Sequence, residues 1–142
     1  GAPVTVLSPD SERTSEFSVV SPEFRDRPGG KGGYDIWTSS RSADGWTQPV
    51  NIAAVNSPDT DGWPFVSESG GELWFTRWYM GTPAIFRSLL GPAGWTEPEL
   101  IVSQFAGEPT LDRDGNLYFV HHYFRDSVMI EADIYVARPV RP

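Results

Sequence analysis

The chain repeats itself every 49 residues. "DIW" from Asp35, "AIF" from Ala84 and "DIY" from Asp133 are evenly spaced at that interval. A second motif shares the period: "DGWTQPVNI" from Asp44 is matched by "AGWTEPELI" from Ala93, with Trp46 over Trp95, Thr47 over Thr96 and Pro49 over Pro98. A third pair, "WPFVSESGGELWF" from Trp63 and "EPTLDRDGNLYF" from Glu108, aligns Pro64 with Pro109 and Leu73-Trp74-Phe75 with Leu117-Tyr118-Phe119, shifted by a single loop residue. Each unit reads as four short strands: one after the proline, one at "LWFT" or "LYFV", one at "DIWTSS" or "AIFRSLL", and one at "WTQPVNI" or "WTEPELI". "ESGG", "RDGN", "SADG" and "GPAG" supply the Gly or Asn that tight hairpins require for positive φ. A repeat of roughly 45 to 50 residues holding four antiparallel strands is the blade of a β-propeller.

Composition agrees with an all-β reading. With 13 Pro and 14 Gly the chain disfavours long helices and suits short strands joined by many turns, while 39% hydrophobic and 13% aromatic content suffice for a core. The net charge of −8 sets an average field that repels nucleic acid and anionic membrane surfaces. Without cysteine there are no disulfides and no Cys-ligated zinc or iron–sulfur centre. No run of 18 apolar residues exists, so no transmembrane helix and no membrane insertion are expected, and "GAPVTVLSPD" lacks the charged and apolar regions of a signal peptide.

The spacing predicts a single propeller-type domain over residues 1–142, with blade units at 17–52, 63–102 and 109–138 and an N-terminal strand at 2–8. The last unit ends after "DIYVARPVRP" without a "GW..P" strand, and Ala2-Pro3-Val4 aligns with Gln48-Pro49-Val50, so the N-terminal strand is expected to complete a C-terminal blade. Three blade-equivalents fall short of the roughly four to eight that close a ring. Either two chains pair as a homodimer into a six-bladed ring, or the chain is an excerpt of a longer propeller. The first unit lacks a "DGxLYF" hairpin between "FSVVSPE" and "FRDRPGG" and is expected to be irregular.

"RPGGKGGYDIW", "GWTQPVNIAAVNSPDTD" and the "P.(V/L)S.(D/S)G..L(Y/W)F" pattern resemble the WD-like propeller repeats of the TolB type, over essentially the whole chain. Ala84 stands where that repeat has Asp, and "HHYFRDSVMIEADIY" lacks the Gly-Gly turn. The resemblance implies a bacterial envelope or secreted protein, periplasmic or extracellular. Propellers of this kind serve as docking platforms, sensor domains, peptidase lids and sugar-binding modules.

Several tempting motifs have plainer readings. Gly29, Gly30, Gly32 and Gly33 suggest a phosphate loop, but Lys31 is followed by Gly32 and a strand, not by Ser/Thr opening a helix, so a turn is expected. Asp35 and Asp133 recur with the period, which suits a loop cap accepting backbone N–H bonds better than catalysis. Trp37, Phe86, Tyr135, Trp46 and Trp95 are expected in the core between blades. Asp112, Asp114 and Asn116 hint at a calcium loop, but the twelfth position is Tyr123, so a hairpin turn is expected. "SRSADGW" lacks the Gly-x-Thr-Trp ending of a sialidase Asp box and is a turn as well. No cofactor and no metal are called for.

Topology singles out one end of the blades. Connections between the second and third strands lie on the same face as those between blades, gathering Arg25, Arg27 and Lys31, then Arg77, Trp78 and Tyr79, then His121, His122, Tyr123 and Arg125. Inter-blade segments add Asp59, Asp61, Trp63 and Glu108. His121 and His122 point to opposite faces and do not chelate together. Trp, Tyr, Arg and His are the usual anchors of binding surfaces. The competing expectation is that "RWYM" and "HHYF" merely continue strands with alternate residues buried. The function expected is a non-catalytic binding or scaffold module engaging a protein or glycan; the alternative is a glycoside hydrolase using Glu68, Asp112 and Glu108.

Overall fold

The computed structural model describes residues 28–140 together with the backbone of Val4–Val6 and Ser15–Val19. All regular structure among them is β, in three antiparallel sheets. The first sheet runs β1 (Val4–Val6), β2 (Ser15–Val19), β3 (Ile36–Ser42), with β4 (Gly45–Trp46) and β5 (Val50–Asn51) both along β3. The second runs β6 (Asp61–Val66), β7 (Glu72–Tyr79), β8 (Thr82–Gly91), with β9 (Gly94–Trp95) and β10 (Glu99–Val102) both along β8. The third has β11 (Ala106–Leu111), β12 (Leu117–Arg125) and β13 (Val128–Ala137). No helix of the described residues is long and apolar enough to cross a membrane.

The sequence period recurs bond for bond. Thr47 N donates to Ser40 O at 2.9 Å, and 49 residues later Thr96 N donates to Leu89 O at 2.9 Å. Their hydroxyls each accept the N–H of that same residue at 3.0 Å, while the Ser39 and Ser88 hydroxyls donate to the Thr47 and Thr96 carbonyls at 2.7 and 2.6 Å. Ser and Thr thus fix the corner at which the third strand's hairpin turns into the outer strand. Trp37 faces Asn51 across the first sheet as Phe86 faces Leu100 across the second.

The inner strands share a break. Register shifts between Gly62 and Phe65 and between Gly107 and Thr110, and the residues before the two prolines, Trp63 (φ 48°) and Glu108 (φ 52°), are left-handed. Each is a bulge that turns one side chain away from the ladder.

The core explains the unbroken apolar run Leu73-Trp74-Phe75 in β7: both faces of the strand are covered there. Leu73, Phe75, Ala84 and Phe86 pack with Ile36, Ile52 and Val55 of the first sheet and its outer connection. Trp74 and Ile85, the alternate residues, pack with Ala106, Leu117 and Phe119 of the third. The first and third sheets therefore sit on opposite faces of the second.

Two expectations need correction. The N-terminal strand does not complete the C-terminal sheet: β1 pairs with β2, Val4 opposite Val19 and Val6 opposite Phe17. A local hairpin closes a shorter loop than a return to the far end of the chain, and sequential strands pair preferentially. The recurring aromatics also divide. Trp37 and Phe86 are buried, but Trp46 and Tyr135 are exposed and Trp95 is half-buried against the core. Trp46 lies on a two-residue strand beside the Arg41 guanidinium, 5.4 Å from its carbon. Tyr135 lies on the third sheet's outermost strand, which has no outer strand beside it among the described residues. The expected irregularity of the first unit falls between 20 and 27, outside the described residues.

Two hairpins close with both loop residues left-handed: Met80 (φ 51°) and Gly81 (φ 84°) between β7 and β8, Asp126 (φ 48°) and Ser127 (φ 64°) between β12 and β13. That geometry matches strand twist and favours glycine at the second position. Ser127→Gly is expected to stabilise the protein by about 0.5 to 1 kcal/mol. The check is a raised denaturant midpoint at unchanged m-value.

Candidate functional site

The residues singled out at one end of the sheets divide into a bonded framework and an exposed set. Lys31 belongs to the framework: its Nζ donates to Ala53 O at 2.6 Å and Asn56 O at 3.4 Å, and its backbone N–H donates to Asp35 Oδ2 at 2.6 Å. Asp35 also accepts from Asn51 Nδ2 at 2.9 Å, so it is the loop cap its recurrence suggests. The glycine cluster has a packing reason. A Cβ on Gly32 would stand 2.2 Å from Asp59 O, and one on Gly33 2.4 Å from Thr60 Oγ1. The two loops lie backbone to backbone, joined by Gly33 N donating to Asp59 O at 3.0 Å and Asp61 N to Tyr34 O at 2.9 Å. Arg25 and Arg27 lie outside the described residues.

Asp61 and Arg77 face each other across β6 and β7 and are bound together. Arg77 Nε donates to Asp61 Oδ1 at 2.6 Å and its Nη2 to Val55 O at 2.5 Å, while the guanidinium lies over the Phe86 ring, 4.7 Å from its centroid. The second carboxylate oxygen accepts from Ser57 N and Ser57 Oγ, both at 2.7 Å. This pair holds the inter-sheet loop onto the strands.

Glu108 and His122 form a second pair. His122 Nε2 lies 3.1 Å from Glu108 Oε2, and His122 Nδ1 lies 3.2 Å from Met129 Sδ. The left-handed backbone of Glu108 is held from the neighbouring sheet, its N–H donating to Thr76 Oγ1 at 2.9 Å. His121 has different neighbours: its ring lies 4.6 Å from that of Tyr123, 5.4 Å from Tyr135 and 6.3 Å from Phe105. The two histidines thus look to different surroundings, as strand alternation requires. The Tyr123 and Tyr135 hydroxyls share a short hydrogen bond, which, with the nearby Asp133 and Glu131 carboxylates, pushes the Tyr123 phenol up to about 12.

The exposed set is aromatic. Trp63 is 47% exposed on the β6 bulge, Trp78 is 49% exposed near the end of β7, and Tyr79 and Met80 continue into the hairpin. Tyr79 braces this end edge-on against Phe86 at 5.5 Å. Trp78 N donates to Thr60 O at 2.8 Å, which ties the Trp78 end of β7 to the loop that also carries exposed Asp59. "RWY" and "HHY" do continue strands. Alternation on β7 puts Arg77 on the face packed against the first sheet and Trp78 on the opposite face, near the end of the strand, where it stays 49% exposed.

The carboxylates considered for hydrolysis each have a local partner. Glu68 lies 3.9 Å from Arg113, and Glu108 meets His122. Asp112 Oδ1 accepts from Asp114 N and Asn116 N at 2.9 Å, and Oδ2 from Asn116 Nδ2 at 2.8 Å and Tyr118 Oη at 3.2 Å. The Asn116 side chain first, then its backbone N–H, hold the Asp112 carboxyl below the usual range. Both oxygens therefore face donors, the environment of a turn, whereas calcium would need them free as ligands.

Sequence reasoning missed Asn56, whose side chain binds both backbone groups of Ile36, and Met129 beside His122. The Ser39/Thr47 corner carried a visible signal in its recurrence at Ser88/Thr96. Asn56 carried none, because its role depends on a partner 20 residues away. Comparison with protein-family models and with curated protein sequences finds no match to this chain.

Proposed function

We propose that the three sheets are blades of a β-propeller of the WD-like, TolB-type kind, and that the protein is a non-catalytic binding module of the bacterial envelope or extracellular space. Its connection-rich end engages a protein or a glycan. The recurrence of the corner bonds and of the bulges supports the propeller reading, as does the stacking of successive sheets through alternate faces of the second. Localisation follows from the resemblance of the repeat alone.

One observation carries the binding reading. At this end the charged side chains Asp61, Arg77 and Lys31 are engaged within the fold, whereas Trp63 and Trp78 present large apolar surface to solvent. Trp63 does so from a backbone conformation that a bulky residue adopts only at a cost. Exposed tryptophans on a rigid frame anchor protein interfaces, and their rings stack on sugar faces.

A glycan array, followed by calorimetric titration of the best oligosaccharide, tests the glycan arm; pull-down against envelope and secreted proteins, followed by titration of the purified partner, tests the protein arm. Trp63→Ala and Trp78→Ala are each expected to weaken binding by about tenfold or more with unchanged stability. Affinity indifferent to both changes places the ligand elsewhere, and glycoside hydrolysis by the purified chain overturns the non-catalytic reading.

A further inference from the structure

His122 has a partner on each ring nitrogen. Nε2 lies 3.1 Å from Glu108 Oε2, and Nδ1 lies 3.2 Å from Met129 Sδ. An ionised carboxylate only accepts, so in neutral His122 the proton sits on Nε2 and is donated to Glu108. Nδ1 then carries a lone pair, and what it meets is a thioether sulfur, which has no proton to give. Two electron-pair donors thus face one another with no proton between them. The arrangement is held from outside the pair. Glu108 has a left-handed backbone (φ 52°) whose N–H donates to Thr76 Oγ1 at 2.9 Å, so the second sheet fixes where its carboxylate stands. Gly107 leaves room for the imidazole: a Cβ there would lie 3.4 Å from His122 Nε2 and 3.5 Å from Thr76 Oγ1. His122 and Met129 belong to the two strands of one hairpin, β12 and β13, whose register shifts between Tyr123 and Phe124 and sets Met129 opposite Phe124.

We propose that His122 Nδ1 and Met129 Sδ chelate a soft monovalent cation, Cu(I), with Glu108 as the positioning residue behind the imidazole. Metal bonds of about 2.0 Å to nitrogen and 2.3 Å to sulfur, meeting slightly above a right angle, separate the two donor atoms by about 3.2 Å. That is the separation Nδ1 and Sδ already have. Thioether sulfur selects Cu(I) over hard cations, and a ligating His characteristically donates its other N–H to a carboxylate, as His122 does to Glu108. Harder ions lack a donor set, because among the described residues no three of His, Asp and Glu converge. The site is independent of the propeller reading and of the ligand assigned to Trp63 and Trp78.

Anaerobic titration of the full chain with Cu(I), in competition with a chromophoric Cu(I) chelator, tests the proposal, and X-ray absorption at the copper edge reads the donor atoms. One equivalent is expected, with both sulfur and imidazole nitrogen bound to the metal. Met129→Leu keeps the volume of the side chain and His122→Gln keeps its polarity. Each is expected to weaken binding by about tenfold or more, and Met129→Leu to remove the sulfur signal. Glu108→Ala is expected to weaken binding by about 10- to 100-fold with the sulfur signal kept. Met80→Leu, which removes the chain's other methionine, is expected to change nothing. Nitrogen NMR of the metal-free protein at mildly alkaline pH should show the His122 proton on Nε2. No binding in competition with the chelator, equal affinity after Met129→Leu, equal loss from Met80→Leu, or a proton on Nδ1 overturns the proposal. None of these outcomes touches the binding reading, which the Trp63 and Trp78 variants decide.

Discussion

Asp61→Ala is expected to destabilise the protein by about 3 to 5 kcal/mol, the cost of leaving a largely buried guanidinium without its carboxylate. Asp61 is fully buried and the Arg77 side chain is 12% exposed, so water cannot replace the lost partner. After the change Arg77 keeps the Val55 carbonyl and the Phe75 and Phe86 rings but no carboxylate, while Ser57 N loses its acceptor. Asp61→Ala combined with Arg77→Met is expected to recover part of the loss, because the double variant strands no charge. Urea unfolding of the two single variants and the double variant measures the coupling. A cost below about 1 kcal/mol for Asp61→Ala would mean a solvent-like pair. Asp61 and Arg77 would then return as groups free to meet a ligand.

Asn56→Ala is expected to cost about 2 to 3 kcal/mol through one orphaned backbone donor and the space left behind. Asn56 acts as a piece of strand: Ile36 N donates to its Oδ1 at 2.7 Å, and its Nδ2 donates to Ile36 O at 2.8 Å and to Asn51 Oδ1 at 3.0 Å. Ile36 O keeps Ile52 N as a donor at 3.1 Å, but Ile36 N, in a fully buried residue, has no such reserve. Hydrogen exchange locates the effect: protection should fall at Ile36 and Ile52 ahead of the strands of the third sheet. Equal protection at those amides in the variant and the wild type would show that Asn56 does not hold the loop to β3.

The site was legible only as a place along the chain. "RWY" and "HHY" lie towards the ends of two strands, yet they do not say which members are exposed. Arg77 and Trp78 are neighbours in sequence, and both fit a binding surface. One is bound to Asp61 and the other is half exposed, because adjacent strand residues point to opposite faces and the cover that buries Trp74 on Trp78's face does not extend to the end of β7. The glycines before Asp35 form the expected turn, but their reason, the close passage of the 57–60 loop, involves a segment more than 20 residues away.

The expected units of four strands appear as sheets of five, five and three strands, whereas local chemistry by itself determined the all-β class, the hairpin turns and the framework role of Asp35. These follow from period, turn residues and alternation, which act over a few bonds or recur at fixed spacing. Only the tertiary structure decided that β1 pairs with β2, that Asp61 and Arg77 form a buried pair, and that Trp46, Tyr135, Tyr118 and Ile134 are exposed. Each depends on which sheet lies against which. Ile85 and Ile134 are the same residue at equivalent positions, core in one sheet and exposed in the next, because burial is a property of the neighbour and not of the strand.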